Sequence, residues 1–258
     1  MAQHDISSQN NKLRICLGSA AFLAGSIIAT FFIAPMVLAC LIVPFSVRYR
    51  VGRFWAGTVL KLAEICCGIR YEVEGLEHIN IGGAAIVLSN HQSAWETIAF
   101  RYFLPPQTSL FKQSLLWVPF WGWAMATLKP IAIDRDSKHS ALRKLISRGT
   151  EALQEGLWVI VFPEGTRRPV GELGEFSAGG AMLAQKSGFP VIPVALNAGK
   201  YWPRYSFLKY PGTIKVKIGP LIATKGRKAA DINKEAEDWV INAMTEINQD
   251  HPLDLDSP

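Results

Sequence analysis

The chain has 258 residues, of which 49% are hydrophobic and only 19% are charged, and its formal net charge is +6. This length suits one large domain with a small appendage better than two full domains. Since charged residues usually make up about a quarter of a soluble domain, the composition favours association with a membrane. The basic balance favours anionic partners, namely phospholipid head groups, phosphate-bearing substrates or nucleic acid.

The four cysteines and five histidines do not form a recognisable ligand pattern. Cys66 and Cys67 are adjacent, and Cys16 and Cys40 lie in an apolar stretch. The sequence contains no Cys-x-x-Cys pair and no Cys/His cluster with the spacing of metal ligands. We therefore expect a reducing compartment, no disulfide framework and no metal site.

The first part of the chain is strongly apolar, with no charged residue from Ile15 to Val47. A continuous helix of this length would extend about 50 Å, whereas the hydrocarbon core of a bilayer is about 30 Å thick. We therefore expect breaks at Pro35 and Pro44, because proline removes a helix hydrogen bond and clashes with the preceding turn. Two arrangements remain open. Either residues 15–34 span the membrane, or a re-entrant helical hairpin lies in one leaflet.

Basic residues flank this segment and are more numerous after it: Lys12 and Arg14 before, and Arg48, Arg50, Arg53 and Lys61 after. By the positive-inside rule the C-terminal side is cytoplasmic, and the apolar run is too long for the core of a signal peptide. Residues 48–68 are consistent with an interfacial amphipathic helix or with a core-packing helix. We thus predict a membrane-anchoring helical segment over residues 1–68 and a second, larger domain over residues 69–258.

After residue 68, apolar runs typical of buried strands alternate with segments of helical periodicity. The predicted strands cover residues 84–88, 131–135, 157–162, 191–196 and 213–218, and the predicted helices cover residues 137–155, 177–186 and 232–247. This alternation predicts an α/β fold with a largely parallel central sheet flanked by helices. In such sheets, ligands bind beyond the C-terminal ends of the strands.

A polar segment with a histidine and a carboxylate follows the first of these strands directly, in residues 89–97. His91 precedes Glu96 by five residues, which predicts a general base and the carboxylate that orients it. Because five is not a same-face helical spacing, we expect His91 in the turn and Glu96 in the first helical turn. Ser93-x-x-Glu96 is also a helix capping box, which needs no catalytic role, and both interpretations remain open.

The strand over residues 157–162 also ends in polar residues, in the sequence Phe-Pro-Glu-Gly-Thr-Arg-Arg from Phe162 to Arg168. The backbone N–H groups of such a turn, together with a guanidinium, can bind phosphate. A plain turn with solvated arginines is the alternative interpretation.

Residues 111–123 are too apolar for a solvated loop. They are consistent with an acyl-chain groove, with a segment that enters the lipid surface, or with a core helix that Pro119 interrupts. Arg135 ends the next predicted strand, and two interpretations of it remain open: that it binds a phosphate, or that it pairs with Asp134 or Asp136. The sequence contains no nucleophile elbow, P-loop, dinucleotide-binding fingerprint or His-Glu-x-x-His motif, which excludes the chemistries that these motifs serve.

Taken together and in order, the segments from about residue 70 to residue 220 resemble the glycerolipid acyltransferase family, and within it the bacterial 1-acyl-sn-glycerol-3-phosphate acyltransferases. The four blocks of that family are matched by Asn90-His91 with Glu96, by Lys112, Pro119, Gly122 and Arg135, by Phe162 to Arg167, and by Val191 to Ala195. Glu96 departs from the aspartate that is commonest in the family. Glutamate carries the same charge on a longer arm, so it can still hydrogen-bond to His91.

The resemblance implies that His91 is the general base and that Glu96 orients it. It also implies that the substrate head group is bound by Lys112, Arg135, Glu164, Gly165, Thr166 and Arg167. The implied reaction transfers an acyl group from acyl-CoA or acyl carrier protein to the sn-2 hydroxyl of lysophosphatidic acid, without a cofactor. The implied location is the cytoplasmic side of the bacterial inner membrane, where a helical hairpin contacts membrane lipids.

Two alternatives to this function remain open. The acceptor can be another lysophospholipid, glycerol-3-phosphate or a lyso-ornithine lipid, or the chain can be a non-catalytic lipid-binding protein of the same fold. Nucleic-acid binding is disfavoured, because the basic residues are spread along the chain and no recognition motif is present.

Overall fold

The computed structural model describes the backbone of residues 2–133 and 138–250 and the side chains of residues 11–133 and 139–249. A seven-stranded sheet forms the centre of this described part. Its strands are β1 (Ile69–Glu74), β2 (Ile86–Ser89), β3 (Gln107–Lys112), β4 (Ile131–Ile133), β5 (Trp158–Val161), β6 (Val191–Leu196) and β7 (Gly212–Ile218). Their order is β1-β7-β6-β2-β5-β3-β4, and every neighbouring pair is parallel except β6 and β7. The predicted α/β fold with a largely parallel sheet is confirmed.

Helices flank this sheet, as predicted. In the described residues they are α1 (Ala2–Ala39), α2 (Phe45–Cys67), α3 (Trp95–Phe103), α4 (Trp121–Ala126), α5 (Lys138–Gln154), α6 (Gly179–Ser187) and α7 (Ala229–Asp250). Helices α5, α6 and α7 pack against β5, β2 and β6, whereas α1, α2 and α3 form a second packed group. Gly188 ends α6 in the left-handed conformation, with a φ of 73°, which glycine adopts without steric penalty.

Helices α1 and α2 form an antiparallel hairpin. The Trp55 indole of α2 donates a hydrogen bond of 2.9 Å to the Thr30 hydroxyl of α1. Nearer the open end, Gly18 packs so closely that a Cβ atom there would lie 2.3 Å from the Cys66 carbonyl oxygen. The close approach of the two backbones therefore depends on the absence of a side chain at residue 18.

The predicted break at Pro35 is wrong, because α1 continues through this residue to Ala39. Ile33, Ala34 and Val37 around the proline are buried in one cluster with residues of α4. This packing on neighbouring turns offsets the single hydrogen bond that the proline removes. The chain instead breaks in a 3-10 turn over Cys40–Ile42, and Pro44 precedes α2, as predicted for that residue.

The outward side of α1 is apolar and exposed, through Leu13, Leu17, Leu23, Ile27, Ile28, Phe31, Phe32 and Met36. Within the described residues, Asn11–Ile42 is the one helical segment whose length and composition suit a membrane span, with a mean hydropathy of 2.3. This helix indicates membrane association. Whether it spans the bilayer or lies in one leaflet stays a prediction.

Helix α2 (Phe45–Cys67) includes all but the last residue of the segment 48–68 that was considered above. Its inner side packs into the protein core. Val59, Leu60 and Ala63 belong to the central hydrophobic cluster, whereas Phe54 and Ile65 point outward and are exposed. The core-packing interpretation of this stretch therefore describes its inner face. Because α2 shares the central core, the division of the chain at residue 68 stays a prediction.

The sequence patterns did not predict strands β1 and β3. In β1 the residues alternate between buried or half-buried and exposed, with charged side chains outside, because it forms an edge of the sheet beside β7. In β3 only Gln107 and Thr108 are fully buried, and neither is apolar. Each of these strands forms because its backbone hydrogen-bonds to a neighbouring strand, β7 for β1 and β5 for β3. The apolar pattern of a strand's own residues does not reveal such pairing.

Candidate active site

His91 and Glu96 lie together at the C-terminal end of β2. The strand ends at Ser89, His91 lies in the following turn, and Glu96 is the second residue of α3. The His91 imidazole Nδ1 lies 2.8 Å from the Glu96 Oε1, and the side chains are 10% and 0% exposed. The structure therefore brings together the two residues that the sequence predicted as base and orienting carboxylate.

The Glu96 Oε1 atom also accepts the backbone N–H groups of Gln92 and Ser93, at 2.8 and 2.7 Å. In a capping box, the carboxylate accepts the backbone N–H three residues earlier, as Glu96 does from Ser93. The Glu96 carboxylate therefore fits both the helix-capping and the His91-orienting interpretation. Because Oε1 acts as an acceptor for the two amides, the imidazole must donate its Nδ1–H to it. This tautomer leaves the lone pair on Nε2, where a base needs it.

Asn90 joins the catalytic turn to the neighbouring strand β6. Its side-chain amide donates to the Leu196 carbonyl oxygen at 2.9 Å, and the Leu196 amide donates back to the Asn90 Oδ1 at 3.0 Å. Beyond β6, the Gly199 amide donates to the Gln92 Oε1 at 3.2 Å. These bonds continue the β2–β6 pairing past the end of the backbone ladder, so Asn90 and Gln92 position His91 rather than react.

The loop that follows β5 forms hydrogen bonds with both the backbone amide and the backbone carbonyl group of His91. The His91 amide donates to the Glu164 Oε1 at 3.0 Å, and the Arg168 amide donates to the His91 carbonyl oxygen at 2.7 Å. Glu164 was predicted to bind the substrate head group. Its carboxylate is buried, with Oε1 against the backbone of the turn that carries His91. Gly165, with a φ of 72°, allows the chain to turn back at this point.

Burial raises the pKa of the Glu164 carboxyl to about 7. The amides of His91 and Gly174 and the charge of Arg168 act in the opposite direction, but they do not cancel the cost of burial. The Arg168 Nε lies 3.7 Å from the Glu164 Oε2, a long contact for an ion pair. The Glu164 carboxyl therefore changes its protonation state near pH 7, and it does so while bonded to the backbone amide of His91.

The Phe162 ring packs against the face of the His91 imidazole, a contact that the sequence did not predict. Its ring stacks on His91 with centroids 4.0 Å apart and an angle of 16°, and it lies nearly parallel to Phe100 at 6.2 Å. Phe162 is the first residue of the Phe-Pro-Glu-Gly-Thr-Arg block. The signal was therefore present in the sequence, but a stacking role depends on β2 and β5 being neighbours.

The other predicted site residues that the structure describes lie at the end of β3 and after β5, at the same edge of the sheet as His91. Gly165 and Thr166 are exposed, and Arg167 is half-buried, in the loop after β5. Lys112 is exposed at the end of β3, the strand next to β5. Arg135 lies outside the described residues. In those residues no group of three or more His, Cys, Asp or Glu could hold a metal ion.

Comparison with known proteins decides the family. A profile of the acyltransferase family matches residues 70–197. A 1-acyl-sn-glycerol-3-phosphate acyltransferase from Pseudomonas aeruginosa is 48% identical over 238 residues, which cover 91% of this chain and 89% of that protein. This chain belongs to the acyltransferase family. The resemblance inferred from the sequence blocks is confirmed, and the chain is an enzyme of acyl transfer.

More distant members of the family agree with this assignment. The mouse 1-acyl-sn-glycerol-3-phosphate acyltransferase alpha is 30% identical over 177 residues, covering 67% of this chain and 62% of the mouse protein. The fold matches the crystal structure of the 1-acyl-sn-glycerophosphate (LPA) acyltransferase PlsC from Thermotoga maritima, with a TM-score of 0.79 and 27% identity. That match covers 92% of this chain and 98% of the Thermotoga chain, so it includes the N-terminal hairpin as well as the sheet.

Proposed function

We propose that this acyltransferase moves a fatty acyl group from an acyl thioester to the free sn-2 hydroxyl of lysophosphatidic acid, which gives phosphatidic acid. The observation that carries the proposal is the His91–Glu96 pair, whose 2.8 Å contact leaves Nε2 available to a substrate hydroxyl. Its relatives from Pseudomonas aeruginosa and mouse, both named for this acceptor, support the choice of lysophosphatidic acid.

In the proposed mechanism, His91 acts first as a base and then as an acid. Nε2 removes the proton of the acceptor hydroxyl while that oxygen attacks the thioester carbonyl carbon. The tetrahedral intermediate then collapses, the C–S bond breaks, and the departing sulfur takes the proton from Nε2. Glu96 stabilises the imidazolium between these steps, and a base of this kind contributes about 10²–10⁴-fold to the rate. Because the thioester is already activated, no acyl-enzyme and no cofactor is needed.

The phosphate of the acceptor is proposed to bind to the exposed cationic edge of the site. Lys112 lies at the end of β3, and Thr166 and Arg167 lie in the loop after β5. The Gly165 N–H donates to the Phe162 carbonyl oxygen at 3.0 Å, so Gly165 shapes this loop rather than offering its own amide to the phosphate. Arg135 completes this set in the proposal, as the family resemblance implies. Glu164 supports the His91 turn, since its carboxylate accepts the His91 amide.

Membrane lipids are the proposed source of the acceptor and the destination of the product. The exposed apolar side of α1 continues into the loop before α4, where Trp117 is 80% exposed and Phe120 lies 6.1 Å from the Phe31 ring of α1. Such aromatic side chains favour the membrane–water interface. We place this surface on the cytoplasmic leaflet of the bacterial inner membrane, with acyl-CoA or acyl carrier protein as the donor.

The test is release of thiol from acyl-CoA on addition of lysophosphatidic acid, with the full chain in detergent or liposomes. We expect release by the wild type and a loss of at least about 10²-fold in His91→Ala. His139→Ala is the matched control, because His139 is exposed on α5, and it should retain full activity.

The control reactions separate this proposal from its alternatives. If only another acceptor or acyl carrier protein supports release, the reaction class stands and the proposed substrate is wrong. If the folded wild type binds lysophosphatidic acid without turnover, and His91→Ala binds it equally well, a non-catalytic lipid-binding role replaces the proposal.

A further inference from the structure

Arg204, which lies outside the four sequence blocks of the family, contacts the predicted phosphate-binding loop. Its Nη1 donates a hydrogen bond of 2.5 Å to the Arg167 carbonyl oxygen. Arg168, which follows Arg167 in the chain, donates its backbone amide to the His91 carbonyl oxygen. Arg204 is therefore connected to the catalytic turn through a short run of backbone, although it is far from His91 in the sequence.

Tyr205 holds the guanidinium groups of both arginines. The Arg167 and Arg204 guanidinium carbons lie 5.6 and 5.9 Å from the centre of its ring, within the range of cation–π interactions. The Tyr205 side chain is 82% exposed, and its φ of 58° is unfavourable for a residue other than glycine. Packing of the fold does not explain an exposed ring on a strained backbone with two cations within 6 Å of its centre.

Neither arginine forms an ion pair with a carboxylate in the described residues. Two guanidinium groups beside one ring repel each other, and a bound anion would remove this repulsion. The bond to the Arg167 carbonyl engages one N–H of Arg204 and leaves the others for a ligand. Guanidinium groups bind phosphate through paired N–H donors, so phosphate is the anion that this geometry suits best.

We propose that Arg204 and Tyr205 complete, with Arg167, a binding subsite for a phosphate ester of a substrate. This inference rests on the proposed function, in which both substrates carry phosphate. The acceptor has a phosphomonoester, and both candidate donors carry phosphopantetheine. Arg204 supplies the second guanidinium, and the Tyr205 ring keeps the two groups apart and oriented toward the same anion.

The experiment compares Arg204→Gln with the wild type on pairs of substrates that differ only in phosphate. Lysophosphatidic acid is paired with monoacylglycerol, and S-acyl-4′-phosphopantetheine is paired with S-acyl-pantetheine. Arg204→Lys keeps the charge, and Arg148→Gln is the matched control, since Arg148 is an exposed arginine on α5. We expect Arg204→Gln to raise KM about 10- to 100-fold for one phosphorylated substrate, with partial recovery in Arg204→Lys.

The substrate pairs identify the source of the phosphate. An effect on lysophosphatidic acid that is absent with monoacylglycerol assigns the subsite to the acceptor. An effect on S-acyl-4′-phosphopantetheine that is absent with S-acyl-pantetheine assigns it to the donor. Both results support a phosphate subsite. Equal loss with and without each phosphate would mean that Arg204 only supports the Arg167 backbone, and no change at all would mean that it has no role, so either result overturns the inference.

Turnover by the wild type tests the proposed function independently of the Arg204 variants. If the wild type does not turn over, equilibrium binding of lysophosphatidic acid and of CoA is measured for the same variants. A loss of binding in Arg204→Gln of about 10-fold or more for either ligand supports the subsite, and unchanged binding of both ligands overturns it.

Discussion

Glu96 is the residue whose replacement tests the mechanism most sharply, because its Oε1 atom accepts three hydrogen bonds at once. One comes from the His91 Nδ1 at 2.8 Å, and two come from the backbone amides of Gln92 and Ser93. In Glu96→Gln the amide oxygen can still accept the two backbone bonds. The negative charge is lost, so the imidazolium that forms during proton transfer is no longer stabilised.

The magnitude follows from the geometry. With charge centres about 4 Å apart and an effective dielectric constant of about 20, the pair contributes about 4 kcal/mol. Since about 1.4 kcal/mol corresponds to tenfold in rate, we expect the kcat of Glu96→Gln to fall by about 10³-fold. The KM for lysophosphatidic acid should change little, because Glu96 is fully buried and is not exposed to substrate.

Two further variants separate the charge from the scaffold. Glu96→Asp keeps the charge on a side chain that is shorter by about 1.5 Å, so we expect a loss that is smaller than that of Glu96→Gln. Glu96→Ala also leaves two buried amides without a partner, at about 1–3 kcal/mol each, so it should unfold at lower denaturant concentration.

The assay is thiol release at saturating acyl-CoA with varied lysophosphatidic acid, alongside denaturant unfolding of each variant. A Glu96→Gln enzyme with kcat within threefold of the wild type, in a preparation where His91→Ala is inactive, would refute the assigned role. Glu96 would then be a helix-capping residue alone.

Three further predictions concern the surroundings of the base. The folded-state pKa of Glu164, about 7, lies above its ordinary value of 4.5, so this group's contribution to stability falls as the pH rises from about 4.5 through 7. Unfolding measured across this range should show wild type losing stability relative to Glu164→Gln, and parallel curves would contradict the burial argument. Phe162→Leu removes the ring that stacks on His91, so kcat should fall about 2- to 10-fold with KM unchanged, and steady-state kinetics that show only a KM effect would exclude this role. Trp117→Ser should leave the free energy of unfolding within about 0.5 kcal/mol, yet lower activity on lysophosphatidic acid in vesicles more than in detergent micelles. Equal activity of this variant and wild type on vesicles would place the loop away from the bilayer.

One expectation failed because it used a local pattern where packing decides. Proline was expected to end α1 at residue 35, but burial of Ile33, Ala34 and Val37 keeps the helix continuous. The family resemblance implied that Glu164 binds the substrate head group, and that role stays a prediction. Its carboxylate turns inward, since the His91 amide needs an acceptor that local sequence does not supply.

The sequence by itself determined the fold class and the family, and it predicted the pair of residues that we propose as base and partner. It could do so because apolar runs of strand length, the alternation of strands with helices and the order of four short blocks are all local properties of the chain. His91 and Glu96 are also only five residues apart, so one turn joins them.

Only the tertiary structure decided what holds this pair in place and what lies beside it. Asn90 meets Leu196, Glu164 meets the His91 amide, and Arg204 meets Arg167. The first two contacts form because parallel neighbours β6, β2 and β5 end at one edge of the sheet, and the third joins the loops that follow β5 and β6. Strand order is set by burial over the whole domain, so residues far apart in the chain become partners without any local signal.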